Sequence, residues 1–577
     1  MHFGNRLLAL TFISFFNITH AEYSDVIYYN GTIVTINDKA PTAQSVAIAH
    51  GRILAVGDRA SILETKGKNT LMVDLHGNTM LPGFIDAHGH VSLTGLQAVS
   101  ANLLPAPDGE GNSIASIQKI LTQYAHGPIA KSHKIIIGFG YDEAQLKERR
   151  PPTRQELDAV SEDLPVIIVH QSGHIGVLNS KALQLAGLSQ DSLDPEGGHI
   201  RRESDGKTPN GVLEETAWFL AGMQLVQPSP KDYATMLLEG QKLYAKFGFT
   251  TGQDGRSDEN SNKTWMTLSQ SGKMLIDLVS YPDITLPFTE SMMQSQWVDQ
   301  DYHGHFRIGG VKLSLDGSPQ GKTAYLSKPY YIPPSGQSTD YRGYPALADE
   351  NVDKYVDRAY ANHWQLLVHA NGDAASDQMI KSVDKIVAKY GQADRRTVMI
   401  HAQTVREDQL DDMKRLAITP SFFGMHAYYW GDWHRDETLG PLRADRISPA
   451  VSALRRNMLF TEHHDAPVAF PDAIAILDAV VNRRTRSKDI LGPDQRLAID
   501  VALKSITLWA AWQYFEESSK GSIEVGKLAD FVVLSDNPMT IDPNQLRTIK
   551  VLETIKEGHT IYKLSTKQIK YIPPSRQ

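Results

Sequence analysis

Short runs of alternating apolar and polar residues mark both ends of the chain. Near the start they flank two turn dipeptides, with residues 25–29 and 32–36 around Asn30-Gly31 and residues 45–49 and 52–57 around His50-Gly51. Two-residue connections of this kind favour β-hairpins. Similar runs return after residue 515, at residues 521–524, 530–534, 551–555 and 559–562. The pattern predicts that both ends belong to one β-unit.

The long middle of the chain, residues 81–515, has a different pattern. Apolar runs alternate with amphipathic stretches typical of helices, and such runs lie at residues 134–138, 166–170, 365–369 and 398–401. This alternation predicts an α/β fold with parallel strands. Several runs end at a residue able to bind a metal, and a (β/α)₈ barrel gathers such strand ends at one point. A doubly wound sheet satisfies the same alternation but would not gather residues from so many strands.

The first residues are typical of a signal peptide. His2 and Arg6 precede an apolar run over residues 7–16, and Thr19-His20-Ala21 offers a cleavage site before Glu22. The run is too short to span a bilayer, and no later run reaches the roughly 18 apolar residues that a span needs. We therefore expect a signal peptide over residues 1–21, no membrane span, and an exported protein, periplasmic or secreted. An uncleaved N-terminal helix is the alternative.

Composition narrows the function further. The 577 residues include no cysteine, which excludes disulfides, thiolate ligands and a cysteine nucleophile. The formal net charge of -8, with 41% hydrophobic residues, is that of an ordinary globular protein. This charge argues against nucleic acid as a partner.

The first candidate for chemistry is the pair of histidines in Asp86-Ala87-His88-Gly89-His90. In a strand, residues two apart point the same way, so His88 and His90 would project from one face about 6–7 Å apart. Two imidazoles at that separation can bind one metal ion. A loop with two solvated histidines is the alternative.

Four later residues extend this pattern, each near the end of an apolar run: Lys312, His369, His401 and Asp465. Each has an ordinary alternative: an ion pair with Asp316 for the lysine, a structural hydrogen bond for either histidine, and a helix cap for the aspartate. Taken with His88 and His90, they offer nitrogen and oxygen ligands suited to zinc or another divalent metal, as one ion or two.

These residues and their neighbours resemble the amidohydrolase superfamily, in its branch called amidohydrolase family 3, or YtcJ-like. The matching segments are residues 81–90, Gly173-His174 with residues 179–183, residues 311–318 with Thr323-Ala324, residues 464–468 and residues 521–530. The resemblance implies a (β/α)₈ metallo-hydrolase barrel over residues 81–515. It also implies a small composite β-sandwich from residues 22–80 and 516–577.

The resemblance also implies a ligand set. His88, His90 and Asp465 would hold one ion and His369 and His401 a second, bridged by Lys312 after its carboxylation. The family commonly has glycine and serine before the aspartate, whereas this chain has His463-His464. Either histidine could add a ligand or crowd the site.

The expected function is metal-dependent hydrolysis of a non-peptide C–N bond, in a small amide or formamide-like substrate, by a metal-activated hydroxide. Asp465 is the candidate to move the proton, and Tyr141 and His174 are the candidates to bind the substrate. The alternatives are an exported barrel that binds a solute or metal without turnover, or an esterase or cyclic amidase of the same superfamily. A homodimer is a further expectation.

Overall fold

The computed structural model describes residues 23–565, except residues 196, 227 and 335. The predicted signal peptide over residues 1–21 lies outside the described residues and stays a prediction. Within the described part of the chain, no helix is both long and apolar enough to cross a membrane.

The strands are short and spread along the whole described chain. Their bounds are β1 Ser24–Tyr29, β2 Thr32–Val34, β3 Thr42–Ala43, β4 Ser45–Ala49, β5 Arg52–Gly57, β6 Lys66–Asp74, β7 Thr79–Pro82, β8 Phe84–Ile85, β9 Ala101–Asn102, β10 Ile136–Tyr141, β11 Val166–His170, β12 Ile175–Leu178, β13 Gly198–Arg202, β14 Pro209–Glu215, β15 Phe249–Ser257, β16 Asp277–Pro282, β17 Phe306–Ile308, β18 Gly310–Ser314, β19 Gln365–Ala370, β20 Thr397–His401, β21 Ile418–Phe422, β22 Thr461–Glu462, β23 Phe531–Leu534, β24 Val551–Lys556 and β25 His559–Lys563.

The α-helices lie mostly between the strands of the middle region. Their bounds are α1 Arg59–Leu63, α2 Val91–Val99, α3 Ile114–Ala125, α4 Pro128–His133, α5 Arg154–Asp158, α6 Ser180–Leu185, α7 Pro230–Lys246, α8 Glu259–Gln270, α9 Thr289–Met292, α10 Asp349–Ala361, α11 Asp373–Tyr390, α12 Glu407–Arg415, α13 His426–Tyr429, α14 Gly431–Trp433, α15 Pro441–Ala444, α16 Ala450–Arg455, α17 Ala473–Asn482, α18 Ile499–Ser505 and α19 Leu508–Gln513.

Both ends of the chain contribute to one sheet. A six-stranded sheet has the order β25-β24-β23-β7-β2-β3, and a four-stranded sheet has the order β5-β4-β1-β6. The link between the two ends is the antiparallel pairing of β23 with β7, in which Phe531 lies opposite Pro82. Apolar side chains from both sheets form one buried cluster, which includes Ile48 and Val533. The two ends therefore join in β structure, whereas a composite sandwich with the predicted boundaries stays a prediction.

One of the two predicted hairpins is wrong. Strands β4 and β5 pair across His50-Gly51 as expected, but β1 and β2 lie in different sheets. Gly31 sits so tightly against the turn before β7 that a Cβ there would lie 2.4 Å from the carbonyl oxygen of Asn78. The Asn30-Gly31 turn therefore passes the chain from one sheet to the other.

The strand predicted at residues 521–524 is also absent from the described structure. This segment has no regular secondary structure. Instead, the amide of Ile523 donates to the carbonyl of Thr35 at 2.8 Å, and the Ile523 side chain is buried among the strands of both chain ends. The burial of Ile523 therefore explains why this segment has an apolar residue, although the segment forms no strand.

The middle of the chain contains two parallel sheets, in the orders β17-β16-β15-β8 and β18-β19-β20-β21-β22. A parallel bridge between Asp283 and Lys312 connects them. Hydrogen bonds also join the loops that follow β8 and β22. The amide of Asp465 donates to the carbonyl of His88 at 3.2 Å, and the amide of His90 donates to the carbonyl of Ala466 at 2.8 Å. The α/β class is therefore confirmed, while closure into a (β/α)₈ barrel stays a prediction.

Helix α11 illustrates how the helices cover these strands. It begins at Asp373, directly after β19 and its short loop, and its apolar residues recur three or four positions apart. Ala375, Met379 and Val383 are fully buried in the same cluster as Val368 of β19. A helix with one apolar face packs that face on the sheet. This packing fixes the end of β19, where His369 lies.

Two of the predicted apolar runs belong to neither parallel sheet. Strands β10 and β11 lie in a separate six-stranded mixed sheet with the order β13-β14-β12-β11-β10-β9. Its strands β11, β12, β14 and β13 pair antiparallel. The chain between β8 and β15 therefore forms an inserted layer rather than further strands of the parallel sheets.

A buried network of charges connects β16 to the C-terminal segment. The carboxylate of Asp277 lies 2.6 Å from Nζ of Lys520 and 3.0 Å from Nζ of Lys556, and all three side chains are at most 4% exposed. Lys520 also pairs with Glu516, and Lys556 with Asp530. Buried ions are tolerated only when they are paired in this way.

We predict that Asp277→Asn destabilises the protein by about 3 kcal/mol, because it leaves two buried lysines short of a countercharge. Urea denaturation of the two proteins measures the effect as a lower midpoint. Lys263→Ala is the matched control, since its exposed pair with Glu259 should contribute almost nothing. Equal midpoints for Asp277→Asn and the wild type would contradict a structural role for the network.

Candidate metal centre

The six predicted ligands come together at one edge of the parallel strands. They lie within or directly after strands β8, β18, β19, β20 and β22 and are His88, His90, Lys312, His369, His401 and Asp465. Parallel strands carry the residues after their carboxyl ends to the same edge, which is where such folds place their chemistry. All of these side chains are buried or nearly so.

The first group of ligands is His88, His90 and Asp465. The Nε2 atoms of His88 and His90 lie 3.3 Å and 3.2 Å from Oδ1 of Asp465. One potential ligand atom from each residue lies within 4.8 Å of the other two, a separation that one ion can span. The structure therefore brings His88, His90 and Asp465 together, as the sequence predicted.

The second group is His369 and His401. Nδ1 of His369 lies 3.1 Å from Nε2 of His401, and Nε2 of His401 lies 3.9 Å from Oδ2 of Asp465. Burial holds the pKa of both imidazoles well below the usual range. Neutral imidazole is the form that binds a metal. The carboxylate of Asp465 thus faces both groups, one oxygen toward each.

Lys312 lies beside the first group. Its Nζ is 3.1 Å from Nε2 of His88, and burial lowers the pKa of this amine to about 7, against the opposing effect of Asp465. The alternative ion pair with Asp316 is not formed. That carboxylate accepts backbone hydrogen bonds from Tyr325, Asn371 and Gly372. Lys312 therefore has a substantial neutral fraction near pH 7, the form that reacts with carbon dioxide.

Unpartnered atoms test whether these residues fit a metal. Nδ1 of His401 and both ring nitrogens of His463 are buried and make no hydrogen bond. Most buried polar atoms in proteins have partners, so such a concentration at one place needs an explanation. Nitrogen and oxygen donors without sulfur suit zinc and also iron, manganese or cobalt. The residues fit a divalent metal.

Gln253 orients His88 and was not found from the sequence. Its Oε1 lies 2.6 Å from Nδ1 of His88, while its Nε2 donates to the carbonyl of Ala87 and to the hydroxyl of Tyr514. A proton on Nδ1 leaves Nε2 free to face Asp465. Outer hydrogen bonds of this kind fix the tautomer of metal-binding histidines. A glutamine in a strand gives no signal of this role until its neighbour is known.

The structure separates the two predicted substrate-binding residues. The ring of His174 lies 6.4 Å from that of His369, and its Nδ1 lies 2.8 Å from Oε2 of Glu215. Burial lowers the pKa of His174, but Glu215 raises it by more, so the net shift is upward. His174 is therefore placed at the edge of the site as a hydrogen-bond donor.

Tyr141 lies in a different environment, in strand β10 of the inserted sheet. Its ring contacts that of His170 at 5.1 Å, and its buried hydroxyl has no hydrogen-bond partner. None of the ring contacts between described residues joins it to the ligand histidines. A role for Tyr141 in substrate binding thus gains no support from this geometry and stays a prediction.

The two histidines before Asp465 point to different places. The ring of His463 lies 5.2 Å from the rings of both His88 and His401. In contrast, His464 packs against Tyr244 and Phe249, and its Nδ1 accepts from the amide of Ala466 at 2.8 Å. His463 therefore lies among the predicted ligands, whereas His464 packs among aromatic side chains away from them.

We predict that Gln253→Leu weakens metal binding about 10–100-fold, because His88 loses the acceptor that fixes its tautomer. Chelator competition on the purified protein measures the affinity. Gln241→Leu is the control, since that buried glutamine accepts from the amide of Leu275, away from the ligands. If both variants bound metal like the wild type, Gln253 would have no part in the site.

Comparisons with known proteins identify relatives that match most of the chain. A family model described as "Amidohydrolase family" matches residues 71–562. The putative amidohydrolase YtcJ of Bacillus subtilis is 26% identical over 564 residues, covering 93% of this chain and 99% of the relative. The N-substituted formamide deformylase of Arthrobacter pascens is 26% identical over 549 residues, covering 93% of this chain and 98% of the relative.

A solved structure extends the agreement to three dimensions. The crystal structure of a metal-dependent hydrolase from Pyrococcus horikoshii superposes with a TM-score of 0.71 at 26% identity, covering 90% of this chain and 99% of that one. The family match spans most of the chain, including every predicted ligand, and confirms the resemblance seen in the sequence. The chain belongs to the amidohydrolase family.

Proposed function

We propose that this protein is a metal-dependent hydrolase that cleaves a non-peptide C–N bond in a small amide or formamide-like molecule. The observation that carries the proposal is the carboxylate of Asp465, held between the His88–His90 pair and the His369–His401 pair. The relative from Arthrobacter pascens, an N-substituted formamide deformylase, supports the choice of C–N bond.

The residues divide naturally between two ions. His88, His90 and Asp465 would hold one, and His369 and His401 the other, with zinc the metal we propose for both. Lys312, once carboxylated, would offer an oxygen to each. A divalent metal at this place supplies Lewis acidity for activating water and polarising a carbonyl group.

The protein's own groups account for the proton transfer. Burial opposes ionisation of Asp465, but the nearby imidazoles of His88 and His90 hold its pKa well below the usual range. Asp465 would therefore be ionised and able to accept the proton of the attacking water, then deliver it to the leaving nitrogen. His174, oriented by Glu215, would donate a hydrogen bond to the substrate.

The remaining parts of the proposal concern the whole chain. We propose that the parallel strands close into a (β/α)₈ barrel, because hydrogen bonds join the loops after the first and last strands. We propose that the two sheets of the chain ends form the sandwich. Export rests on the sequence of residues 1–21 alone, and a homodimer rests on the resemblance alone.

We predict about two divalent ions per chain in protein purified without chelators, falling to one or none in Lys312→Ala, because the bridging group is lost. Inductively coupled plasma mass spectrometry measures the content. Wild-type apoprotein should regain metal faster with added bicarbonate, whereas Lys312→Ala should not respond. A single ion in both proteins would mean a mononuclear site in which Lys312 is not a bridge.

We predict that Asp465→Asn lowers kcat/KM for amide substrates by about 10²–10⁴-fold, because the amide cannot accept the proton. Steady-state kinetics on a panel of N-substituted formamides measures this, and esters and cyclic amides in the same panel test the alternative substrates. Asp472→Asn is the control, since asparagine also caps helix α17 at that position. Ligand binding without turnover in the wild type would favour the non-catalytic binder.

A further inference from the structure

We propose that His463 is an additional ligand of the metal centre, contributed by the same strand end as Asp465. The inference rests on the metal-dependent function proposed above. His463 is fully buried, and neither of its ring nitrogens makes a hydrogen bond. Its ring lies 5.2 Å from the ring of His88, in the first ligand group, and 5.2 Å from that of His401, in the second.

The local backbone explains this direction. The amide of His463 donates to the carbonyl of Phe422 at 3.0 Å and so continues the pairing of β22 with β21. In extended chain, residues two apart project to the same side. Thr461, two residues earlier, projects inward, since its hydroxyl contacts Ser421 and Gln513 between the strands. His463 lies on that same inner side, two residues before Asp465.

A buried imidazole with two unused nitrogens is costly. A buried polar atom left without a partner has lost its hydrogen bonds to water without replacement. The neighbouring His464 avoids this cost, because its Nδ1 accepts from the amide of Ala466. The imidazole rings of His88 and His401, both predicted ligands, lie 5.2 Å from that of His463. An ion in this cluster would give one of its nitrogens a partner.

The alternative is that His463 acts only as a ring that fills space. Phe423 lies 5.2 Å away at an interplanar angle of 32°, so aromatic packing contributes at this position in either case. The two roles make different demands on the side chain. Packing needs the ring, whereas ligation needs a nitrogen or oxygen donor at a defined place.

Three substitutions separate these demands. His463→Phe keeps the ring and removes both donors. His463→Asn keeps a donor near the position of Nδ1, and His463→Gln keeps one near Nε2. The matched control is His464→Asn, whose side-chain oxygen replaces the acceptor that the Ala466 amide needs. Melting temperatures of the metal-free proteins show whether each variant folds.

The measurements are zinc affinity by chelator competition and the visible absorption spectrum of the cobalt-substituted full-length protein. For ligation we expect His463→Phe to lose more than about tenfold in affinity, since even outer-shell partners contribute 10–100-fold, and its cobalt bands to shift. We expect partial recovery in His463→Asn or His463→Gln, whichever retains the binding position, and wild-type behaviour in His464→Asn.

A crystal structure of the zinc-loaded wild type tests the same point without any variant. A nitrogen of His463 within about 2.0–2.1 Å of zinc supports ligation. Wild-type affinity and spectrum in His463→Phe, or a zinc ion out of reach of His463, would overturn the inference and leave the proposed hydrolase intact. A wild type that binds no metal at all would overturn both.

Discussion

The carboxylate of Asp465 is buried at the edge of the sheets where the parallel strands end. An ionised carboxylate in such a place needs positive charge or several hydrogen bonds. Burial holds the pKa of His88, His369 and His401 below the usual range. The nearest amine, Lys312, has its pKa lowered to about 7. The protein alone therefore supplies little cationic charge to its own buried anion. A divalent ion supplies the missing charge and also uses the neutral nitrogens, which explains both features together.

Another buried carboxylate of the same parallel sheets shows the opposite solution. Asp277, at the first residue of β16, lies within 3.0 Å of the amines of both Lys520 and Lys556. There the charges are balanced by the protein, and the network joins the strand to the C-terminal segment. Asp465, beyond the carboxyl end of β22, faces the imidazole nitrogens of His88, His90 and His401. The amine nearest to it, Lys312, is only partly protonated near pH 7. This contrast between the two parallel sheets distinguishes a structural ion cluster from a candidate metal site.

The sequence predicted the features that depend on regular spacing. The His-x-His spacing put His88 and His90 in one predicted ligand group, although both follow β8 in irregular chain rather than lying in a strand as predicted. Apolar runs ending in His369 and His401 indicated two further candidate ligands. What it could not predict depends on contacts between distant segments. Asn30-Gly31 looks like a hairpin turn, but the carbonyl of Asn30 accepts from the distant amide of Gly77, and the turn changes sheets instead. Tyr141 ends an apolar run as the ligands do, yet that run belongs to the inserted sheet. Gln253 is chemically unremarkable until His88 is placed beside it.

The dipeptide His463-His464 shows why residue type alone does not assign a role. The two side chains are equally buried, but strand alternation turns one toward the ligands and the other toward Tyr244. Placing another imidazole among the ligands requires space, and a neighbouring strand provides some of it. At Gly255 of β15, a Cβ would lie 2.5 Å from Cε1 of His88, so a larger residue would collide with that ring. A glycine beside His88 thus leaves room in this crowded centre. A histidine accommodated in this way, with neither nitrogen bonded, is better explained by a ligand it binds than by the space it fills.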